Sequence, residues 1–477
     1  RSDLECALPD EALLQAGCVE VISEEVVCDL SEEDKAKVGR SFYDERTRVD
    51  FNIEVVLQKI FVEKGEVTSE QGKTLISAST ALIGPPKKSV TWNFLTNLAI
   101  LCGQYSMPFN RFATMLTTDA QSFSSSQLAS HFSYVAERMC PIYLTLARQL
   151  ASSDIFAGDD TSTRTVEVSR ALEGEGEQKP WDNYSSLDRA AKSLTRDGFS
   201  LAASIGAILG FVSNKKDGNQ KHSFNTSVVS GRTNPYEPRS SIVLFRSHFG
   251  SFGDLVSQIL GYRSSEQSNA VTVLSDLASV NKVSKIEGIS IIYAGCTSHA
   301  RRRWAKIGDD DVYADSMLQQ FFNLYHCEKM LDVAGRNTDN VLAVRQKAEK
   351  RYWEALKEDC EMVAKKWSKQ TLHGDAARYI LKNFDVITRY LDDPRLPMTN
   401  DFSERMLRPE KLIQANSMFR QSLEGRFALD IVRTILQTSI AAGVNAQEYL
   451  NWLLPTDPKL VLANPENYMP RKFLDKK

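Results

Sequence analysis

The stretch that decides the fold is SIVLFRSHFGSFGDLVSQILGYRSSEQSNAVTVLSDLASVNKVSKIEGISIIYAG, residues 241–295. Three of its segments, 241–249, 270–274 and 288–295, are apolar and rich in β-branched and aromatic residues, which is typical of buried strands. Between the first two, FGDLVSQIL (252–260) has the period of a helix. Strands alternating with helices in this way predict a mixed sheet that carries helices on its faces.

Earlier segments of the chain extend this pattern. IFA (155–157) and FNTSVV (224–229) are predicted strands, and TRTVEV (163–168) is predicted as a further extended segment. The predicted order is therefore three strands, a helix, a strand, a helix and a strand. A long polar insertion, 169–223, separates the first two of these strands.

The N-terminal part divides into two regions at the turn pair Pro85-Pro86. Residues 1–85 are predicted to be a small mixed or β-containing region, because RVDFNIEVVLQKIFV (48–62) alternates well enough for a strand pair. Residues 86–152 are predicted to be helical. Their order of helix, polar turn and second helix near Ser125 resembles a helix-turn-helix that binds DNA. A plain helical hairpin packed on the next domain is the alternative.

The remaining boundaries follow from the change of period. Residues 153–296 form the first part of the sheet domain, and 297–395 are almost entirely helical until prolines end the block. Helices resume over 396–455, and 456–477 are predicted to be a C-terminal tail. The long charged helix predicted over 342–369 contains both basic and acidic residues, so paired charges and DNA contact are both open.

Composition limits the classes of function. The net charge of the 477 residues is -3, so any contact with DNA must come from local basic patches. The sequence has no run of about 18 apolar residues, so no membrane span is predicted. The first residues lack the pattern of a secretory signal. The eight cysteines form no CxxC pair, which favours reduced thiols and a cytoplasmic protein.

Three acidic residues stand where metal-dependent phosphodiester chemistry needs them. Asp159, with Asp160 beside it, and Asp276 each follow a predicted buried strand, and FSERMLRPEKL places Glu404 on a later helix. Two-metal chemistry needs converging carboxylates that leave coordination positions open. Singly, each acid is better explained as a helix cap, a turn residue or a solvated residue paired with Arg405. Only the combination points to a metal site.

Four segments resemble the insertion sequence 66 family of transposases. RYLDDPRLPMTNDFSERMLRP (389–409) is similar to that family's signature around its catalytic Glu, and AGCTSHARRRW (294–304) resembles its Gly-Cys-Trp-Ala-His-Ala-Arg-Arg segment. FAGDDTS (156–162) and VTVLSDLASVN (271–281) resemble the strands that carry its two catalytic Asp residues. The resemblance spans roughly residues 90–455 and includes the closing helices.

The resemblance implies an α/β fold with an RNase H-like mixed-sheet core and a mainly helical N-terminal DNA-binding region. Asp159 would lie on the first strand, Asp276 after the fourth and Glu404 on a helix beyond the fifth. The helical block 297–395 would be an all-helical insertion in the core. The three carboxylates would hold two Mg²⁺ ions, with Mn²⁺ as a substitute. The implied DNA-contacting residues are His299, Arg301, Arg302, Arg405 and Arg408.

The implied activity is that of a bacterial insertion-sequence transposase, which cuts transposon ends and transfers the strands into target DNA. Its partners would be the terminal inverted repeats, the target DNA, further copies of this chain and accessory proteins of the same element, with no membrane. Two alternatives stay open. One is a catalytically inactive or repurposed DNA-binding protein, since Asp160 stands where Glu is usual and Thr297 where Trp is usual. The other is an RNase H-like nuclease acting on another substrate.

Overall fold

The strands among the described residues form two sheets. The computed structural model describes residues 59–69, 72–77, 81–86, 88–117, 122–172, 224–233, 238–267, 270–308, 311–417 and 422–476. Two strands form an antiparallel hairpin, β1 (Lys64–Ser69) and β2 (Gly72–Ser77). The other described strands make one mixed sheet: β3 (Ile155–Ser162), β4 (Phe224–Arg232), β5 (Ser241–Phe249), β6 (Ala270–Ser275) and β7 (Ser290–Gly295).

The five-stranded sheet has the order β5-β4-β3-β6-β7. β4 runs antiparallel to both β3 and β5, whereas β3, β6 and β7 are parallel. In the central pair, Ala157 lies opposite Leu274. Because parallel strands end at the same edge of a sheet, residues just beyond this pair emerge side by side at one edge.

Helices account for most of the rest of the described chain. The α-helices are α1 (Trp92–Leu98), α2 (Phe109–Leu116), α3 (Ser125–Leu150), α4 (Val166–Leu172), α5 (Phe252–Leu260), α6 (Thr297–Ala305), α7 (Val312–Ala334), α8 (Thr338–Val344), α9 (Lys350–Lys366), α10 (Leu372–Ile387), α11 (Asp401–Ser417), α12 (Leu423–Ala441), α13 (Ala446–Leu453), α14 (Pro458–Ala463) and α15 (Pro470–Leu474). A π-helical turn, Ala99–Gln104, extends α1, and another, Arg345–Glu349, joins α8 to α9. Among the described residues, no helix is both long and apolar enough to cross a membrane.

One face of the sheet is covered by α1, α2, α3, α5 and α12. Phe156 of β3 and Val271 of β6 share a continuous apolar core with Phe132 of α3 and Val432 of α12. The described helices of the region 86–152, α1 to α3, therefore pack on the sheet. Binding of DNA by this region stays a prediction.

The second face carries the helical block that follows β7. Leu274 and Ala294 of the sheet pack with Trp304, Phe321 and Trp353 from α6, α7 and α9. Trp353 is buried, so it belongs to this core and not to a base-stacking surface.

Within this block, Arg345 belongs to the interior. Its guanidinium donates to Glu328 and to the backbone carbonyls of Tyr390, Asp393 and Leu396. Arg345 therefore ties the end of the block together and is not part of a basic DNA-facing surface. The predicted charged helix ends at Lys366 rather than 369.

The outer edge of β5 is closed by side chains of α12. Edge strands expose backbone donors that otherwise pair with other chains, so covering them is a recurrent feature of stable sheets. Residues four apart on α12 present acceptors to alternate residues of the strand. The bonds are Ser247 N to Asp430 Oδ2 (2.7 Å), Phe245 N to Thr434 Oγ1 (2.9 Å) and Val243 N to Thr438 Oγ1 (3.1 Å).

The predicted order of strands and helices in the sheet is confirmed, with one error. TRTVEV (163–168) is not extended throughout, because α4 begins at Val166. Helix formation there buries Val168 in the core and lets Glu167 accept a hydrogen bond from Leu423 N at 2.7 Å. Of the strand pair predicted over 48–62, only 59–62 lie within the described residues, and they form neither helix nor strand.

Candidate active site

Asp159 and Asp276 come from neighbouring parallel strands. Asp159 lies on β3 two residues beyond Ala157, and Asp276 lies two residues beyond Leu274, the residue paired with Ala157. Adjacent strands are about 4.8 Å apart, so both backbones reach the same level at one edge of the sheet. The register therefore brings together two acids that are far apart in the sequence.

Asp159 lies close to Asp276 and Glu404, and these three residues are called the carboxylate cluster below. Burial, together with the charges of Asp276, Asp160 and Glu404, raises the pKa of Asp159 to about 7. A hydrogen bond from Asp160 N to Asp159 Oδ1, 2.8 Å long, acts in the opposite direction. The negative charges of the neighbouring carboxylates therefore favour the protonated form of Asp159.

Asp160 points to the other face of β3. Its Oδ2 accepts a hydrogen bond from Phe252 N at 2.9 Å, which caps the start of α5. Burial raises the pKa of Asp160, and the charges that add to this are Asp276 and Asp254. Gly158 leaves room for the contact, because a Cβ there would lie 2.0 Å from the Phe252 ring. The charge of Glu404 contributes to the raised pKa of Asp159 and is not among the causes for Asp160. Asp159 is therefore better placed than Asp160 to share a metal ion with Glu404.

Asp276 is oriented by the turn after β6. Its Oδ1 accepts from Ala278 N at 2.9 Å and from Asn281 Nδ2 at 2.8 Å. Leu277 has a φ of 63°, so the chain reverses directly after the acid. Tyr379 of α10 donates to the Asp276 carbonyl at 3.3 Å. The carboxylate is held by local hydrogen bonds, which leave Oδ2 for a ligand.

Glu404 lies in the first turn of α11, which is anchored over β3. Asn400 Nδ2 donates to the Gly158 carbonyl at 2.6 Å, next to Asp159. Ser403 Oγ lies 3.4 Å from Ser230 Oγ on β4. These two contacts place the start of α11 against the sheet at the level of Asp159.

Two residues of α6 contact the Glu404 carboxylate. Arg302 pairs with Oε2, and His299 Nδ1 lies 3.6 Å from Oε1. Burial lowers the pKa of His299, and the charge of Glu404 partly offsets this. At the start of the same helix, burial raises the pKa of the Cys296 thiol to about 11, so the thiol is protonated at neutral pH.

The other predicted DNA-contacting residues lie around this cluster. Arg301 on α6 and Arg405 and Arg408 on α11 are exposed. Arg303 is instead occupied, because it pairs with Asp375 at 2.5 Å and lies over the Tyr379 ring. The structure thus brings Asp159, Asp276, Glu404, His299 and Arg302 together, with Arg301, Arg405 and Arg408 outside them.

Sequence reasoning missed the residues that hold α11 in place. Glu410, fully buried, pairs with Arg426 at 2.5 Å and with Arg433 at 2.7 Å, and Thr163 donates to it at 3.0 Å. The sequence gives only a weak signal for these contacts. Glu410 lies six residues beyond Glu404 in a helix whose many charged residues suggest exposure to solvent. Asn400 lay within the quoted signature, but its bond to β3 depends on long-range packing.

The three carboxylates form an all-oxygen donor set, which suits Mg²⁺ or Mn²⁺ better than zinc or copper. The charges that raise the pKa of Asp159 are those of three further carboxylates, so the cluster has negative charge that a divalent cation would balance. The residues present therefore fit the metal ions that the resemblance implies.

Comparisons with known proteins place the chain among transposases. A family model described as Transposase IS66 family matches residues 87–198 and 214–427. Uncharacterized protein y4qI of Sinorhizobium fredii (strain NBRC 101917 / NGR234) is 27% identical over 241 residues, which cover 49% of this chain and 43% of that protein. Uncharacterized protein y4hP of the same strain is 21% identical over 414 residues, covering 83% of this chain and 64% of that protein. The chain spans less than two thirds of the length of either relative.

Proposed function

The chain belongs to the IS66 family of transposases, and on that premise we propose that it cuts DNA at the ends of a bacterial insertion sequence and joins those ends to target DNA. One observation carries the proposal. Asp159, Asp276 and Glu404 come together from β3, the end of β6 and α11, so that the charges of Asp276 and Glu404 add to the burial that raises the pKa of Asp159 to about 7. Such convergence of acids from separate elements is typical of a functional site.

Asp159, Asp276 and Glu404 would hold two Mg²⁺ ions, with Mn²⁺ as a substitute. When bound, the ions activate the attacking oxygen and stabilise the leaving oxygen. The chain's own residues position the ligands. Asn281 fixes Asp276, Arg302 holds one oxygen of Glu404, and the second oxygen of Glu404 lies 3.6 Å from His299 Nδ1.

The topology supports the proposal of an RNase H-like core. The sheet is mixed, with the order β5-β4-β3-β6-β7, and β4 runs antiparallel to both of its neighbours, β3 and β5. One acid on the first strand of the sheet, one after the fourth and one on a helix beyond the fifth agree with the arrangement that the family resemblance implies. The helical block 297–395 then lies as an insertion between β7 and α11.

DNA would approach along the exposed sides of α6 and α11. Arg405 and Arg408 lie on the same helix as Glu404 and are exposed, as is Arg301. Arginine recognises phosphate oxygens in a bidentate manner, so these side chains suit the DNA backbone beside the carboxylates. Terminal repeats, target DNA, further copies of the chain and accessory proteins of the element are the proposed partners.

Alanine variants of the three acids test the proposal on DNA that carries the terminal repeats of the parent element. We expect Asp159→Ala, Asp276→Ala and Glu404→Ala each to abolish Mg²⁺-dependent strand cleavage, while binding to the same DNA is retained. Glu358→Ala, an exposed acid in the helical block, is the matched control and should cleave normally. Full cleavage by the Glu404→Ala protein would refute the assignment.

Product analysis separates the proposed transposase from the other two functions. Joined products with target DNA are expected from the wild-type chain. Cleavage without joining would indicate a nuclease, and DNA binding without either product would indicate a repurposed DNA-binding protein.

A further inference from the structure

Beside the carboxylate cluster lies a second set of metal-ligating side chains with a different chemistry. One ligand atom from each of Cys296, His299 and Glu404 lies within 4.8 Å of the others. Cys296 is the residue before α6, His299 lies in the first turn of that helix, and Glu404 faces both from α11. The group thus combines sulfur, nitrogen and oxygen donors from two elements.

Two of these donors have no hydrogen-bond partner among the described residues. They are His299 Nδ1 and Glu404 Oε1, both buried, and they lie 3.6 Å apart. Arg302 occupies only the other oxygen of Glu404. Buried polar atoms usually have partners, so two that face each other without one indicate a place for a ligand.

The spacing suits a tetrahedral ion. Zn²⁺ binds nitrogen and oxygen at about 2.0 Å and sulfur at about 2.3 Å, which puts its ligand atoms about 3.3–3.8 Å from one another. The imidazole and carboxylate already have that separation. The sulfur lies within 4.8 Å of the other two ligand atoms and would move closer on binding, and the fourth position would be open to water.

We propose that Cys296, His299 and Glu404 bind Zn²⁺, and that the ion inhibits the enzyme by taking Glu404 from the magnesium-binding cluster. Thiolate and imidazole ligands select zinc over magnesium, which prefers oxygen alone. On binding, the Cys296 thiol releases its proton to solvent, and the thiolate and the carboxylate together neutralise the dication. The Asn400 N–H, 3.2 Å from Cys296 Sγ, donates toward the thiolate. The zinc site stands on this geometry alone, whereas the inhibition rests on the proposed function.

Binding is tested with Co²⁺, which replaces Zn²⁺ and gives a thiolate-to-cobalt absorption band in the near ultraviolet. The full chain should show this band at saturation, and Zn²⁺ should displace it. Cys296→Ser should remove the band, whereas Cys327→Ser, a matched variant of a partly exposed thiol, should keep it. His299→Ala should weaken Co²⁺ affinity by at least about tenfold, since losing even an outer-shell partner commonly costs about 10- to 100-fold.

Circular dichroism and thermal melting of each variant confirm folding before the titration. A band that survives in the Cys296→Ser protein, or no band in the wild-type chain, would overturn the proposal. Inhibition is measured separately, as the Zn²⁺ concentration that halves Mg²⁺-dependent cleavage. That concentration should rise at least about tenfold in the Cys296→Ser protein.

The two proposals fail in different ways. Mg²⁺-dependent cleavage without a cobalt band would leave the transposase function in place and remove the zinc site. A cobalt band without cleavage would leave the zinc site in place and remove the transposase function.

Discussion

Replacing Glu410 by Gln should destabilise the protein strongly although the residue binds no substrate. Glu410 is fully buried on α11 and is the shared partner of Arg426 and Arg433. Glutamine preserves the shape of the side chain, so the change removes charge rather than volume. The two arginines would remain buried, and they would differ in how much negative charge is left near each of them.

The magnitude follows from what each arginine retains. Arg426 keeps Asp430, whose Oδ1 is 3.8 Å away. Among the described residues, the hydrogen-bond acceptors that Arg433 keeps are neutral, the Gly103 carbonyl at 3.1 Å and Ser106 Oγ at 3.2 Å, and the charge of Asp430 acts on it without a hydrogen bond. Removing one partner of a buried ion pair costs about 3–5 kcal/mol, because the other charge stays desolvated. The arginines hold the pKa of Glu410 well below its usual range, so at pH 7 its stabilising effect is complete and is lost only in acid.

Urea unfolding at pH 7, followed by circular dichroism, measures the free energy of unfolding. Glu410→Gln should lower it by about 3–5 kcal/mol, whereas Glu358→Gln on an exposed helix face should change it by less than about 0.5 kcal/mol. Adding Arg433→Met removes the orphaned charge, so the double variant should be more stable than the sum of the single effects by about 1–3 kcal/mol. A loss below about 1 kcal/mol for Glu410→Gln, or strict additivity, would refute the reasoning.

Three further predictions concern the cluster, the sheet edge and the DNA contact. The pKa of Asp159 is about 7 in the folded protein and 3.8 ordinarily, so the free energy of unfolding of the metal-free wild type should fall as the pH rises between these values. Urea titrations should show a smaller fall for Asp159→Asn and an unchanged fall for the control variant Glu266→Gln. Thr434→Val removes the acceptor of a buried β5 N–H and should cost about 1–3 kcal/mol in the same assay, with Thr114→Val on an exposed position nearly neutral. Arg405→Ala should weaken DNA binding at low salt and lower the slope of log affinity against log salt by about 1; an unchanged slope would remove Arg405 from the phosphate contacts.

The strands of the sheet could be predicted because their signals are local. Each is an apolar run of β-branched and aromatic residues bounded by polar turns, and burial in the middle of a sheet requires that pattern. The prediction that TRTVEV is extended failed because β-branched residues also occur in short helices when packing favours them. Here the helix buries Val168 and lets Glu167 accept a hydrogen bond from Leu423 N. Tertiary packing therefore outweighs the strand propensity of this segment.

The helical block shows a second limit of sequence reasoning. Arg345 lies in a run of charged residues and has no sequence feature that distinguishes it from exposed neighbours such as Lys347. Its burial depends on Glu328, 17 residues earlier, and on carbonyls at the end of the block. Partners at such separations are invisible without the fold.

The acids themselves were identified by their place after strands and by the family signature, but their relation to one another was not. The choice between Asp159 and Asp160 depends on which face of β3 each occupies, and only the bond from Phe252 N to Asp160 shows this. Similarly, the ion pair of Arg302 with Glu404 could not be predicted, and the contact of Arg302 with DNA stays a prediction. Side-chain direction at the level of one residue decides both cases.

The position of Glu404 is set by contacts on both sides of it along α11. Before it, Asn400 and Ser403 join the helix to β3 and β4. Beyond it, Glu410 joins the helix to the buried arginines of α12, which in turn covers the edge of β5. Both anchors belong to the sheet and its covering helix, so the carboxylate keeps its place however the helical block that separates it from β7 is built. This physical arrangement allows Glu404 to lie so far along the chain from the strands that complete the proposed site.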